Sequence, residues 1–437
     1  MLGKKIKVLF AASEMAPMAK VGGLGDVIGS LPKALKKMGV GAEVAIPRYE
    51  HISKKNLKLI FRLDKDTAVY QTRSGGVRVF LIDNKKYLSH GPVYFERTAF
   101  AGSRKYINRF LFFSKAVFEL IERGFLKPDV VHANDWHTGA LVSLLKRNFQ
   151  TPKVVFTIHN LANQGKWGGR NLMAEGIKNA DIVTTVSRAY AKEILTKEYG
   201  EKLEGLLHQR ARENKLIGIL NGIDYSFWPM EARAPRFGAS NASPNPRFGF
   251  VARLTFQKGL SVLLPVVPYF VKKYGAKFYF LGQGEARFEK KLKELTREYP
   301  RNVFVKIGFD EALARRIYAN SDFFLMPSFF EPSGLGQMIA MRYGAIPIAR
   351  KTGGLSDTIY DGRTGFLFAE KTQSALKKAI ERAIGIFKNK KKFKMMQKTC
   401  KKQNFGWEKS ARLYKRLYTA LKYEYGKGGQ GTYRGLF

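Results

Sequence analysis

The chain has 437 residues, of which 45% are hydrophobic, and its 77 Lys and Arg against 35 Asp and Glu give a formal net charge of +42. A length well beyond roughly 300 residues predicts two domains. The single cysteine, Cys400, excludes an intrachain disulfide framework and favours a reducing, cytoplasmic location. No stretch is long and apolar enough to cross a bilayer, so no membrane partner is expected. The charge favours anionic partners such as phosphorylated metabolites or nucleic acid, or simply a basic surface.

The first half of the sequence alternates strand and helix patterns. Helix-sized segments, among them residues 24–38 and 106–123, separate short apolar runs rich in β-branched and aromatic residues. The predicted strands are residues 7–12, 43–47, 77–83, 129–134, 153–159, 182–186 and 216–220. This alternation predicts a parallel sheet with helices on both faces.

A connector rich in proline, glycine and serine interrupts the pattern before it starts again. The predicted strands of the second half are residues 247–251, 277–281, 303–307, 323–326 and 346–349. We therefore predict a first Rossmann-like domain at 1–230, a linker at 231–245 and a second Rossmann-like domain at 246–405. A further helix is expected at 406–425, followed by a flexible basic tail at 426–437.

A glycine-rich loop follows the first predicted strand and runs from Lys20 through Gly22 and Gly23 to Asp26. Glycines let a backbone approach a phosphate, and the amides of the following helix would bind it. The loop matches neither the dinucleotide-binding fingerprint nor the Walker pattern, because the third glycine and the closing Gly-Lys-Ser/Thr are missing. Phosphate binding and an ordinary tight turn both stay open at this point.

Polar and titratable residues follow two other strands of the first half. One strand runs into His132, Asp135 and His137, and the next ends in His159. Ligands of parallel α/β sheets bind beyond the carboxyl ends of the strands, so these residues favour a site over structural histidines. No zinc-binding spacing is present, and we expect neither a metal nor another cofactor.

In the second half, Arg253 and Lys258 follow a strand and precede a helix, which suits a diphosphate or, in so basic a chain, an ordinary surface loop. Glu331 follows a later strand in a loop bounded by proline and glycine. The amides from Ser333 to Gly336 open the next helix and would suit hydroxyl or phosphate oxygens.

Taken together, these motifs resemble the bacterial and archaeal glycogen/starch synthase family of retaining glycosyltransferases, over nearly the whole chain. The motifs that carry the resemblance are Ser13-Glu14-Met15-Ala16-Pro17, Lys20-Val21-Gly22-Gly23-Leu24, Asp135-Trp136-His137, Thr157-Ile158-His159-Asn160, Asn221-Gly222-Ile223-Asp224, the segment 253–259, Glu331-Pro332-Ser333-Gly334-Leu335 and Thr352-Gly353-Gly354-Leu355. The family implies the GT-B fold, with two Rossmann-like domains, an interdomain cleft, and a last helix that crosses back to the first domain. It implies glucose transfer from ADP-glucose or UDP-glucose to the 4-hydroxyl at the non-reducing end of glycogen or another α-1,4-glucan, with retention and without a metal.

The resemblance also implies roles for individual residues. The implied catalytic residues are His159, Arg253, Lys258 and Glu331. The implied substrate-binding residues are Lys20, Gly22, Gly23, Asp135, Asn221, Ser333, Gly334, Leu335 and Gly336. By this resemblance, the cations hold the diphosphate, His159 lies at the glucose 6-hydroxyl, and Glu331 with the neighbouring amides binds the 3- and 4-hydroxyls.

Two departures and two alternatives accompany the resemblance. Ile339 stands where many retaining GT-B enzymes have a second Glu, which favours glycogen synthases, and the segment 161–171 is short beside the bacterial enzymes. The first alternative is another retaining GT-B glucosyltransferase that makes a disaccharide or uses a lipid acceptor. The second is a non-catalytic basic protein that binds nucleic acid or glycan, motivated by the lysine run 388–402. A nucleic-acid partner is not expected, because no recognition motif of that kind is present. The oligomeric state is not readable from the sequence.

Overall fold

The computed structural model of the protein describes residues 5–94, 104–230 and 244–423. The chain forms two compact units, the first extending to Gly222 and resuming at Trp407, the second comprising Ile223–Gly406. Residues 223–230 therefore lie in the second unit, although the expected boundary at residue 230 placed them in the first. The expected linker at 231–245 falls largely outside the described residues, and the expected tail at 426–437 does so entirely.

The first unit is built on one large sheet. Its strands and a small hairpin are β1 (Lys7–Ala11), β2 (Gly41–Pro47), β3 (Lys58–Arg62), β4 (Thr67–Ser74), β5 (Val77–Asn84), β6 (Val130–Asn134), β7 (Lys153–Ile158), β8 (Lys166–Trp167), β9 (Arg170–Asn171), β10 (Ile182–Thr185) and β11 (Leu216–Gly218). The order in the sheet is β11-β10-β7-β6-β1-β2-β5-β4-β3, while β8 and β9 pair only with each other. The carboxyl ends of β1, β6 and β7 therefore lie side by side, which brings the loops after them together.

Helices cover both faces of this sheet. They are α1 (Gly23–Lys37), α2 (Arg104–Glu122), α3 (Gly139–Asn148), α4 (Leu172–Asn179), α5 (Arg188–Glu193) and α6 (Glu204–Arg212), with a C-terminal helix described below. One core cluster contains α2 and α3 and the other contains α1, so each face of the central strands is buried. The strands are apolar runs because both faces are covered; all five residues of β6 are buried, for example.

The second unit contains a smaller sheet that is parallel throughout. Its strands are β12 (Arg247–Val251), β13 (Lys277–Gly282), β14 (Val303–Ile307), β15 (Phe323–Met326), β16 (Ile346–Arg350) and β17 (Phe366–Phe368), in the order β14-β13-β12-β15-β16-β17. Its helices are α7 (Leu260–Leu263), α8 (Val267–Tyr274), α9 (Ala286–Glu298), α10 (Glu311–Asn320), α11 (Gly336–Tyr343), α12 (Gly353–Thr358), α13 (Gln373–Lys388) and α14 (Lys390–Lys401). Because β12 and β15 are neighbours, the loops that carry Lys258 and Glu331 meet at one edge.

The last described helix, α15 (Trp407–Tyr423), belongs to the first unit although it follows the second in the chain. Trp407, Tyr414 and Tyr418 are buried in the same core cluster as α1. The Tyr418 hydroxyl lies 2.6 Å from Nδ1 of His132 on β6, so the helix is anchored to the sheet by a polar contact as well as by packing.

The first sheet differs in two strands from the all-parallel sheet that was expected. The strands β3 and β4 were not predicted, and both pair antiparallel at the edge of the sheet. β3 is largely exposed, so its residues show little of the apolar pattern that identifies a buried strand. The first sheet is therefore mixed, with a parallel centre and an antiparallel edge.

Candidate active site

The loop before α1 is fixed by a buried carboxylate. Glu14, 2% exposed, accepts hydrogen bonds through Oε2 from the backbone N–H groups of Val21, at 2.7 Å, and Gly22, at 2.8 Å. Lys20 Nζ lies 2.7 Å from Asp26 in the first turn of α1. Lys20, Gly22 and Gly23 therefore share one ordered loop at a helix N-terminus, as expected, but the Gly22 N–H is directed to Glu14.

Asp135 and His159 come together at the carboxyl ends of β6 and β7. Asp135 Oδ1 accepts a hydrogen bond of 2.7 Å from the His159 backbone N–H, and the N–H of Asn160 lies 3.4 Å from the same oxygen. Asp135 has a φ of +55°, a conformation that few residues other than glycine adopt and that must be stabilised by its surroundings. The Asp135 carboxylate thus holds the loop that presents the His159 ring.

Burial and hydrogen bonding determine the protonation state and the tautomer of His159. Its Nε2–H donates to Asn134 Oδ1 at 2.9 Å, which makes Nδ1 the acceptor nitrogen. Burial lowers the pKa of His159 to about 3, so the ring is neutral at physiological pH. A neutral imidazole with an acceptor nitrogen suits a ligand hydroxyl better than it suits a phosphate.

The stability of the first unit should depend on pH through Asp135. Burial raises its pKa to about 7, against the opposing hydrogen bonds from His159 and Asn160 and with some repulsion from Glu14. The folded state then binds more protons than the unfolded state between about pH 4 and 7, so this group lowers stability as pH rises through that window. Between pH 5 and 8 the loss should be about 2–3 kcal/mol. Asp135→Asn should remove it in denaturant unfolding measured at both pH values.

A matched control is Asp64→Asn in the same unit. Burial there opposes ionisation, but hydrogen bonds from Asp66 and Thr67 outweigh it and lower the pKa of Asp64, so this group contributes stability that is lost as pH falls. The two variants should therefore change the pH dependence in opposite directions. Equal pH dependence of unfolding in the wild type and in Asp135→Asn would contradict the assignment.

In the second unit, Lys258 and Glu331 form a buried ion pair. Lys258 Nζ lies 2.5 Å from Glu331 Oε2, and their side chains are 16% and 8% exposed. Ser328 Oγ donates to the same carboxylate oxygen at 2.9 Å. Arg253 is exposed and lies 3.4 Å from Gln257 Oε1, whose amide nitrogen donates to the Phe330 carbonyl. The structure therefore brings Lys258 and Glu331 together, with Arg253 connected to their loop through Gln257.

The loop from Glu331 to Ser333 is packed directly on the start of α12. The Gly354 N–H lies 3.1 Å from the Glu331 carbonyl oxygen. Ser333 Oγ and Gln337 Oε1 are buried and have no hydrogen-bond partner among the described residues. Buried polar atoms are usually paired, so these two are exceptions. They lie beside Gly334 and the N-terminus of α11, which Leu335 and Gly336 form.

Other chemical features of the described residues are less informative. Asn221 is 6% exposed and follows β11 in the first unit. Among the residues that the structure describes, no group of three or more His, Cys, Asp or Glu side chains could hold a metal ion. A cavity of about 460 Å³ is lined by Tyr87, Phe112 and Glu119 among others, but by none of the candidate site residues. In the described part of the chain, no helix is both long and apolar enough to span a bilayer.

Comparison with known proteins places this geometry in a family. Residues 7–209 match the model for the starch synthase catalytic domain, and residues 235–403 match the model for glycosyl transferases group 1. A glycogen synthase of Thermodesulfovibrio yellowstonii is 38% identical, with 95% of this chain and 98% of the relative covered. The chain belongs to the glycogen/starch synthase family. A second glycogen synthase, from Geotalea daltonii, is 37% identical over 94% of this chain and 98% of its own length.

A solved structure from the family shows the same fold. The catalytic domain of starch synthase IV from Arabidopsis thaliana, bound to ADP and acarbose, has a TM-score of 0.82 and 29% identity, covering 96% of this chain and 99% of its own. Sucrose-phosphate synthase from Thermosynechococcus elongatus, at 19% identity and a TM-score of 0.66, supports the fold alone. The predicted GT-B fold, the family and the glycosyltransferase class are confirmed. Because the family is one of enzymes, the alternative of a non-catalytic binding protein is excluded.

Sequence reasoning missed several residues that organise these clusters. Glu14 stood inside a recognised motif and Asn134 at the end of a predicted strand, and Ser328 stood in the loop that carries Glu331. None of the three had an assigned function. Some of their hydrogen-bond partners are distant in sequence, and the others become neighbours only when a loop folds back on itself. The spacing of residues in the sequence therefore did not indicate these hydrogen bonds. The functions of the thirteen candidate residues themselves stay predictions.

Proposed function

We propose that this family member is a glycogen synthase. In this proposal it transfers glucose from ADP-glucose or UDP-glucose to the 4-hydroxyl at the non-reducing end of an α-1,4-glucan, with retention of the α configuration. The relatives named glycogen synthase, similar over almost the whole chain, support this acceptor class. The cytoplasmic location expected from the single cysteine stays a prediction.

The observation that carries the proposal is the buried pair of Lys258 and Glu331. A buried charge is costly to leave unpaired, so the two side chains neutralise each other in the free protein. A bound nucleotide diphosphate would attract the Lys258 ammonium, and the Glu331 carboxylate would then accept hydrogen bonds from glucose hydroxyls. The ion pair thus combines a cation that would bind the leaving group with a carboxylate that would accept hydrogen bonds from the sugar.

Retention would follow from attack on the face that the leaving group occupies. The departing diphosphate would accept the proton of the attacking 4-hydroxyl, and Lys258 and Arg253 would stabilise the negative charge that develops on it. His159 is neutral and its Nδ1 is an acceptor, so it would bind a glucose hydroxyl and not transfer a proton at neutral pH. No protein carboxylate is required as a nucleophile in this scheme.

The test is an elongation assay with glycogen and either ADP-glucose or UDP-glucose. We expect longer α-1,4-linked outer chains, release of the nucleoside diphosphate, and a ratio of kcat/KM values that identifies the preferred donor. The anomeric configuration of the new linkages, read by NMR, tests retention. Transfer to a small sugar or lipid acceptor with no elongation of glycogen would overturn the proposal, as would β-configured products.

A further inference from the structure

Glu14 lies in the loop after β1, in the first unit, and is not among the residues for which the family resemblance implied a role. Its carboxylate accepts three hydrogen bonds, two from the backbone N–H groups of Val21 and Gly22 and one through Oε1 from the Tyr94 hydroxyl. Because the side chain is 2% exposed, these bonds are shielded from water and the carboxylate has little freedom to move.

The two backbone groups that Glu14 binds directly follow Lys20. Fixing the N–H groups of Val21 and Gly22 fixes the direction in which the chain leaves Lys20 and enters α1. The Glu14 carboxylate also lies close to Gly25 in the first turn of α1. A Cβ at Gly25 would lie 3.0 Å from Glu14 Oε2 and 3.3 Å from the Lys20 Cα. The carboxylate is therefore packed closely between Lys20 and the first turn of α1, and a side chain at residue 25 would press on it.

Glu14 is itself held in place by neighbouring groups. The Tyr94 hydroxyl that bonds its Oε1 also lies 2.9 Å from Ser13 Oγ. The Tyr49 hydroxyl donates to the Ser13 carbonyl at 2.7 Å. Hydrogen bonds from two tyrosines thus hold the Ser13–Glu14 peptide, so that the position of the Lys20 loop depends on a buried network.

We propose that Glu14 is a positioning residue for Lys20. By holding the backbone after Lys20, it orders the loop before a substrate arrives and so lowers the entropy cost of placing the ammonium on a phosphate. The Gly22 N–H serves this internal contact, and the anion contacts of the loop come from Lys20 and the amides further into α1. This inference rests on the proposed function, because it takes a nucleotide diphosphate as the ligand of Lys20.

The kinetic test compares Glu14→Gln, Lys20→Ala and the double variant in the glucosyl-transfer assay. Glutamine keeps the shape but removes the negative charge. Its carbonyl oxygen can accept from the Val21 and Gly22 N–H groups only in weaker, uncharged hydrogen bonds, with its NH₂ group turned to the Tyr94 oxygen. We expect Glu14→Gln to lower kcat/KM for the sugar nucleotide ten- to a hundredfold, mainly by raising KM. In the Lys20→Ala background the same change should lower it less than threefold, because the group that Glu14 positions is gone.

Two controls separate positioning from simple loss of stability. Glu122→Gln makes the same chemical change on the exposed end of α2 and should leave kcat and KM unchanged. Tyr94→Phe removes the bond to Oε1 and the contact with Ser13 Oγ but leaves both backbone bonds of Glu14, so its effect should have the same direction as that of Glu14→Gln and be smaller. Multiplicative effects of Glu14→Gln and Lys20→Ala, or a lower melting temperature of Glu14→Gln with unchanged kinetics, would overturn the proposal.

Amide hydrogen exchange provides a readout that does not need turnover. The N–H groups of Val21 and Gly22 should exchange at least tenfold faster in Glu14→Gln than in the wild type, while those of the β6 strand keep their rates. If the wild type showed no glucosyl transfer, the proposed function would fail while this exchange result could still stand. Unchanged exchange at Val21 and Gly22 in an active enzyme would overturn the positioning proposal alone.

Discussion

Replacing Lys258 with alanine should lower kcat for glucosyl transfer by about 10²- to 10³-fold. This is the range that follows the removal of one fixed group that stabilises developing charge, about 2.7–4 kcal/mol. The Lys258 side chain is 16% exposed and its ammonium nitrogen lies 2.5 Å from Glu331 Oε2, so the charge is fixed in place by this ion pair. Initial rates with saturating donor and glycogen measure the effect.

The same substitution leaves the Glu331 carboxylate buried without its partner, which costs about 3–5 kcal/mol in comparable ion pairs. Kinetics must therefore be normalised to folded enzyme, and Lys258→Arg, which keeps the charge, should recover part of the rate. Lys290→Ala on the exposed face of α9 removes one charge from the same +42 chain and should leave kcat unchanged. A Lys258→Ala enzyme with more than a tenth of the wild-type kcat would exclude Lys258 from diphosphate stabilisation.

The central strands of both sheets were predictable because they are buried on both faces. The strand Arg247–Val251 was predicted with the bounds that the structure shows, and its apolar run is interrupted only where the chain turns toward Arg253. The edge strand Lys58–Arg62 and its neighbour Thr67–Ser74 were missed, since the first is largely exposed and the second is only partly buried. Hydrophobic patterning reports burial, so a strand that buries little leaves little trace in the sequence.

The lysine-rich segment near the C-terminus shows how charge can conceal a helix. Its sequence is conspicuous as a run of lysines, but the structure has a regular helix at Lys390–Lys401. Asn389 caps its first turn, and Phe393, Met396 and Cys400 form a buried stripe at helical spacing. The capping residue and the apolar stripe are both visible in the sequence. The eight lysines between residues 388 and 402 nevertheless favour the interpretation that this segment is a solvated surface.

The location of the candidate site residues was predictable from the sequence, but the contacts between their side chains were not. Strand ends located Lys20, Asp135 and His159 in one unit because parallel strands expose their carboxyl ends at one edge. Which groups bond to one another was not predictable. Lys258 and Glu331 are 73 residues apart and meet only because their strands are neighbours. Such pairing depends on strand order, which local spacing does not encode.

Substituting Gly354 with alanine should displace the Glu331 loop from its position on α12. A Cβ at Gly354 would lie 1.9 Å from the Ser333 carbonyl oxygen, so the loop or α12 must move by about 1.5 Å to restore van der Waals contact. Misplacement of that size can cost about 100-fold in rate, and overpacking typically costs about 1–3 kcal/mol of stability. We expect a loss of about 100-fold in kcat/KM with a folded second unit, measured by kinetics and circular dichroism.

The matched control is Gly385→Ala in the same unit, where the glycine lies within a helix and the added Cβ would meet nothing within 4 Å. Alanine is favoured over glycine in a helix by about 0.8–1.0 kcal/mol, so this variant should unfold at higher denaturant concentration and keep wild-type kinetics. The same one-carbon change is thus expected to stabilise one helix and to displace the loop packed on the other. If Gly354→Ala kept wild-type kcat and KM, the placement of Glu331 and Ser333 by α12 would be refuted, because the clash involves backbone atoms that no rotamer change can move.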